Sequence, residues 1–302
     1  GDKILVPRNA HRSVVGGLIM SGASPCYMEP PVDTRVGMAL ALTPEIVEQA
    51  IIDHPEAKAV LVMHPTYYGV TGGILEIAEV VHRHGLPLLV DEAHGPHLRF
   101  SDRLPVSAVT AGADIVAQSA HKILGVMTQA SWLHARSERI SMGRLRAMLR
   151  LVQSTSPSYI LMSSLDWGRH QMAQRGTALV ERAIELAEQA RERINRIPGL
   201  YCFGSEILGR PGVVGYDPTK LTVTVTQAGL HGQEAETLLN ERYGVQVEMS
   251  DWWNVLAMIT PGDGQGEVDA LVHALERLVA DCSDSALHQG LPLRLPDRKS
   301  VV

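Results

Sequence analysis

The sequence predicts an α/β fold: a mostly parallel sheet covered by helices, followed by a smaller α+β unit. Over the first two thirds of the chain, short continuously apolar runs alternate with amphipathic stretches, the pattern of βαβ units. From about residue 200 the pattern changes to a strand alternating apolar and hydroxyl residues, set among helices, as in a small antiparallel sheet. The 302 residues are 45% hydrophobic and 20% charged. That is a globular mixture, and it excludes a disordered tail, a coiled coil and a collagen-like fibre.

Taken in order, the first strands are Ile4–Val6 and Cys26–Met28. Thr43-Pro44-Glu45 opens a helix with an N-cap, a first-turn proline and an acid at the positive end of the dipole. That helix runs to about His54, because Pro55 follows. A strand at Ala59–Met63 leads to a helix from Ile74 to His84, closed by Gly85. Leu86–Val90, Asp114–Ala117 and Ser131–Ala135 are the next strands. Their continuous apolarity predicts helices on both faces of the sheet. Helices follow at Ser141–Ser154 and from Ser163 to about Arg196. The second carries Leu179, Ala183, Leu186, Ala190 and Ile194 at helical spacing and stops at Pro198-Gly199. The small unit has a half-buried strand at Leu221–Thr226, a helix at Gln233–Tyr243 and strands near Val245–Met249 and Val255–Ile259. A last helix runs from Glu267 to about Cys282. The expected division is a large domain over 1–165, a connecting helix over 166–196, a small domain over 197–283 and a tail over 284–302.

Charge narrows the function. Lys and Arg total 27 against 33 Asp and Glu, a net charge of −6. With no basic block, binding to a nucleic-acid backbone is not expected. Cys26, Cys202 and Cys282 form no CxxC and no even disulfide framework, which suits a reducing cytoplasm. No apolar run approaches the roughly 20 residues that span a bilayer. Both ends read as cut: an apolar strand starts at once after Gly1-Asp2-Lys3, and residues 291–302 read as a connection. We therefore expect an internal piece of a longer protein.

Ligands of open α/β sheets sit at the carboxyl ends of the strands. The residues that follow the apolar runs here are His11, the segment His64 to Gly69, Asp91 to Gly95, and Gln118 to Lys122. Lys122 sits among small residues just past a buried strand, where a partly desolvated amine becomes a nucleophile toward a carbonyl. Pyridoxal phosphate (PLP) requires such an amine for its Schiff base, and Ser119 and His121 are polar groups beside it. Asp91 ends an apolar strand, where an unpaired carboxylate is costly and a pyridinium N–H is a good partner. His11 offers a flat ring to stack on an aromatic cofactor. Taken singly, each has a plain structural alternative: a surface lysine, a helix-capping Asp, a satisfied polar histidine.

Ser119-x-His121-Lys122, followed by Gly125 and Thr128-Gln129-Ala130-Ser131, resembles the cofactor-attachment pattern of the PLP-dependent ornithine/lysine/arginine decarboxylases of the aspartate-aminotransferase fold. Further resemblance lies in Arg8-Asn9-x-His11-x-Ser13, Ser21-Gly22-Ala23, Pro65-Thr66-Tyr67-Tyr68-Gly69 and Val90-Asp91-Glu92-Ala93-His94-Gly95. It continues weakly through Gly244-Val245-x-Val247-Glu248 to Thr260, so it covers about residues 1–280. His94, where the large inducible members have Trp, is similar to the shorter biosynthetic branch. The resemblance implies that Lys122 carries PLP, Asp91 pairs with the pyridine nitrogen, and His11 and Ala93 cover the two ring faces. It also implies that Ser119 and His121 contact the phosphate and that Thr66 lies near the phenolic oxygen. Lys122 or His94 would return a proton to the substrate. Glu248 and Asp251, beside Trp252 and Trp253, are candidates for the substrate's distal cation. A homodimer with shared sites, α-decarboxylation of arginine, lysine or ornithine, and a place in polyamine synthesis follow from the same likeness. The family's upstream phosphate loop and its C-terminal Pro-Gly-Glu motif do not occur in this sequence.

Four alternatives stand beside this reading. Asp91-Glu92-Ala93-His94 spells a helicase box, but the chain has no GxxxxGK[ST] loop. Asp91, His94, His97 and His121 could gather round zinc, although that leaves Lys122 idle. A non-catalytic subunit is the third. Another PLP enzyme of the same fold, an aminotransferase or lyase, is the fourth.

Overall fold

The structure is a computed structural model and describes residues 1–284; the expected tail over 284–302 lies almost wholly outside the described residues. The first 135 residues supply β1 (Lys3–Pro7), α1 (Arg12–Ser21), β2 (Ser24–Met28), β3 (Val32–Asp33), β4 (Met38–Ala39), α2 (Pro44–Asp53), β5 (Val60–Met63) and β6 (Val70–Thr71). They continue with α3 (Ile74–Arg83), β7 (Leu88–Asp91), β8 (Ile115–Gln118), α4 (Ala120–Ile123) and β9 (Trp132–Ala135). α5 (Met142–Val152) and the long α6 (Tyr159–Ile194) lead on to β10 (Tyr201–Cys202), β11 (Gly215–Tyr216), β12 (Lys220–Thr224), α7 (Gly232–Tyr243), β13 (Met249–Ser250), β14 (Asn254–Met258) and α8 (Gln265–Asp284).

Six strands form the large sheet in the order β2-β1-β5-β7-β8-β9. All neighbours run parallel except β9, which is antiparallel to β8. Thr43 caps α2 as expected: its hydroxyl accepts from the Ile46 N–H, and Pro44 stands in the first turn. α2 and α3 bury Val47, Ile51, Ile77, Ala78 and Val81 against Leu5, Val60, Val62, Leu88 and Val90 of the sheet.

On the opposite face of that sheet a cavity of about 700 Å³ lies between Ile4, Leu61, Leu89 and Ile115 of the sheet and Val14, Gly17 and Leu18 of α1. α1 was not expected from the sequence. Gly16 and Gly17 interrupt its apolar residues, and it buries none of them.

The second sheet has the order β10-β12-β14-β13, all antiparallel. It packs on the C-terminal half of α6 and on α8, through Ala183, Leu186, Ala190, Leu221, Val223, Val255, Val272 and Leu275. α6 starts four residues earlier than expected because Ser158, not a later serine, caps it, accepting from the Leu161 N–H. The strand β12 is buried at all five positions rather than at alternate ones. Leu221 and Val223 face the second core, while the Lys220 amine and Thr222 hydroxyl reach the first unit. A polar strand face is normally wet; this one is an interface. β13 is also later and shorter than expected, because the residue after Gly244 still ties back to α7 through Val245 N–H to Leu239 O.

Candidate active site

Parallel pairing of β5, β7 and β8 brings Met63, Asp91 and Ala117 side by side. Whatever follows these residues therefore shares one edge of the sheet. The cavity is lined at that edge by Asp91, Ala93, His94, Ser119, His121 and Lys122, with His11 at the start of α1 and Tyr67 from the loop after β5.

Asp91 is held by its own turn, Oδ1 accepting from the Ala93 N–H at 3.1 Å. Among the described residues Oδ2 has no donor. Glu92 points the other way and is fully buried. It accepts from Ala108 N–H and from Gln118 Nε2, each at 2.6 Å. Burial drives its carboxyl up to about 7 despite those donors. Glu92 therefore ties the loop to the Gln118 end of β8 and fixes the direction of Asp91.

Lys122 follows the Ser119 turn, its N–H donating to Ser119 O at 3.1 Å. Its Nζ lies 3.0 Å from His94 Nε2 and 5.3 Å from the centre of the Tyr67 ring. The His94 ring sits 4.7 Å from the Tyr67 ring. Its other nitrogen, Nδ1, is 2.7 Å from Nζ of Lys220. Burial, reinforced by the charges of Lys220 and Lys122, depresses His94 far below an ordinary histidine, so the ring is neutral. His121 Nδ1 lies 2.7 Å from Ala130 O, so Nδ1 carries the hydrogen and Nε2 stays uncommitted. Ala130 is placed by Gln129, whose φ of 74° is the left-handed conformation that a side chain rarely adopts. Ser119 caps α4 without using its hydroxyl there. His11 is fixed as the cap of α1, with Nδ1 accepting from the Ser13 N–H.

Three expected residues stand elsewhere. Thr66 does not line the cavity; it is buried, and its hydroxyl accepts from the Val70 N–H inside the turn. Asp251 does not line it either. Its carboxylate accepts from the Tyr68 hydroxyl at 2.5 Å and from the backbone N–H groups of Trp253 and Asn254. Glu248 is exposed outside the cavity wall, near enough for its charge to act on Tyr67 and Lys220. The residues considered for zinc disperse into separate partnerships, with His97 Nε2 in ion-pair contact with Asp217 Oδ2 at 3.0 Å. Among the described residues no three His, Cys, Asp or Glu side chains could hold a metal.

Two residues at this edge are not singled out by the sequence. Tyr67 stands beside Thr66 in the same motif, and only the turn geometry decides which of the two faces the cavity. Lys220 precedes an alternating strand and reads as its flank, although Asp217 three residues earlier was a signal for a buried partner.

The chain is similar to known proteins over most of its length. Over 98% of its length the chain is 43% identical to the arginine decarboxylase of Bacillus subtilis, and over 93% it is 44% identical to that of Bacillus cereus. It spans 61% of the length of each. In fold it is similar to lysine decarboxylase A of Pseudomonas aeruginosa, with a TM-score of 0.78 and 21% identity, covering 94% of this chain and 46% of that one. With the profile of the Orn/Lys/Arg decarboxylase major domain matching residues 1–267, the chain belongs to that family.

Proposed function

We propose that this chain is the PLP-binding core of a decarboxylase that removes the α-carboxylate of a basic amino acid, arginine first, then lysine or ornithine. The observation that carries the proposal is that a lysine amine and a carboxylate with an uncommitted oxygen line one cavity from adjacent strand ends. That donor set fits PLP, whose aldehyde needs an amine and whose ring nitrogen needs an acid. When bound, PLP supplies the sink that accepts the electrons of the breaking Cα–carboxylate bond.

The chain's own residues do the rest. Lys122 would bear the cofactor covalently. Asp91, with Oδ2 uncommitted, would hold the ring nitrogen in its protonated form. His11 and Ala93 would cover the ring faces. The Ser119 hydroxyl and His121 Nε2 would hold the phosphate. Lys122 or His94 would return a proton to the substrate carbon. Tyr67, kept un-ionised by burial and by the charges of Asp91 and Glu248, walls the cavity between His11 and His94. For the distal cation, Glu248 is preferred over Asp251, whose oxygens are taken.

Large exposed apolar residues favour a homodimer with shared sites: Leu151 on α5 is 76% exposed and Tyr159 on α6 is 79% exposed. Polyamine synthesis and a cytoplasmic setting belong to the same reading; among the described residues no helix is long and apolar enough to cross a membrane. The test is release of labelled carbon dioxide from carboxyl-labelled arginine, lysine and ornithine with PLP present. Release from one of them, lost in Lys122→Ala, supports the proposal. Transfer of the amino group without carbon dioxide contradicts it.

A further inference from the structure

The turn from Thr66 to Val70 sends one side chain, that of Tyr67, to the cavity. The other residues of the turn are tied down. Thr66 N–H donates to Val70 O at 2.9 Å, and its hydroxyl accepts from Val70 N–H at 3.2 Å. The Tyr68 hydroxyl donates to Asp251 Oδ2 at 2.5 Å, and Tyr68 O lies 3.4 Å from the Thr222 hydroxyl. Gly69 O accepts from Asp217 N–H at 2.7 Å. At Gly69, φ 84°, a methyl would meet Lys220 Cγ at 2.7 Å, so the turn seats against that stem. Val70 pairs with Tyr216. Asp251, Thr222, Asp217, Lys220 and Tyr216 all follow α6 in the chain. The second unit thus fixes the back of the turn and leaves the Tyr67 ring at its front.

That ring meets His94 at a corner: the ring centres are 4.7 Å apart and the planes lie at 59°. The Lys122 amine shares the corner. Its Nζ is 3.0 Å from His94 Nε2 and 5.3 Å from the centre of the Tyr67 ring, inside the range of about 6 Å over which an aromatic face attracts a cation. Among the described residues no carboxylate forms an ion pair with this amine. An ammonium in a half-buried cavity without a counter-charge is costly. The negative face of an aromatic ring is the partner within reach.

We propose that Tyr67 is a positioning residue for Lys122: its ring face, set by a turn that the second unit holds, keeps the amine at the cavity edge whenever the amine is not joined to the cofactor. The ring, not the hydroxyl, does this. The inference rests on Lys122 being the cofactor-bearing amine.

The test uses the full chain without cofactor, with carbon-13-labelled lysine, and Lys122→Arg to assign the Lys122 signal by its loss. In the NMR spectrum the ring current of Tyr67 should move the Lys122 ε-methylene protons upfield of those of exposed lysines. Tyr67→Phe keeps the ring and should keep the shift. Tyr67→Leu should lose it, while the Lys220 signal stays in place and reports that the turn is intact. Attachment of PLP to Lys122 should slow about two- to fivefold in Tyr67→Leu, the scale of one cation–ring contact, and return to the wild-type rate in Tyr67→Phe. A wild-type Lys122 signal at the exposed-lysine position overturns the proposal. So does a Tyr67→Phe protein that behaves like Tyr67→Leu. The wild-type spectrum needs no substitution at Tyr67, so it decides even where Tyr67→Leu fails to fold. PLP attached to another lysine in the wild type contradicts the Lys122 assignment instead, and the NMR shift reads the ring contact apart from it.

Discussion

Asp91 and Lys122 reach the same cavity because β7 and β8 are parallel neighbours and both residues lie at or just past their carboxyl ends. Asp91→Asn keeps the shape and the Ala93 contact but removes the charge proposed to serve the cofactor's ring nitrogen. Decarboxylation should fall about 10²–10³-fold, the scale of losing one preorganised charge partner, with PLP affinity much less changed; steady-state rates and cofactor titration measure the two. A second residue-scale prediction concerns Asp217. Burial pushes its carboxyl up, but the His97 ring, the Lys220 charge and the Thr219 donors outweigh that and hold it at about 2, below the ordinary 3.8. Because the folded value is the lower one, the stabilisation is present above about pH 4 and is lost as pH falls through about 2. It amounts to about 2 kcal/mol. Acid unfolding curves should therefore be shallower in Asp217→Asn across that window.

At the scale of elements, local chemistry explains what was legible and what was not. α2 was readable because its signals are local: Thr43, Pro44 and Glu45 in line. Thr43→Ala should cost about 1 kcal/mol, the usual loss of an N-cap, measured as a shift in the urea midpoint at constant slope. β5, β7 and β8 were equally readable from their apolar runs, and with them the edge that gathers Asp91, Ser119, His121 and Lys122. α1 was not, since two glycines break its stripe and it buries nothing. The burial of β12 was not legible either, because alternation records a strand's two faces but not what the polar face meets. Thr66, Tyr67 and Lys220 share that limit: which way a turn residue points, and which distant sheet a lysine enters, are settled by tertiary packing.

Across the whole molecule, two sheets with separate cores meet through apolar packing, as of Met38 and Val70 with Phe203, and through polar contacts: Lys220 to His94 at the cavity edge, and, away from it, Tyr68 to Asp251 and the Asn254 amide to Val36 O. The exposed apolar side chains of Leu151, Val152, Tyr159, Ile160, Met162 and Trp167 predict self-association. Sedimentation should show a dimer, and Leu151→Glu with Ile160→Glu should return a monomer of unchanged secondary structure. A monomer at all concentrations would remove the shared-site dimer from the account.

The most direct measurement maps the cofactor onto the chain. The sequence has five lysines: Lys3, Lys58, Lys122, Lys220 and Lys299. After incubation with PLP and borohydride reduction, peptide mass spectrometry should find one phosphopyridoxyl group, on Lys122. A label on Lys220, or one spread over the surface lysines with Lys122 bare, would contradict the account.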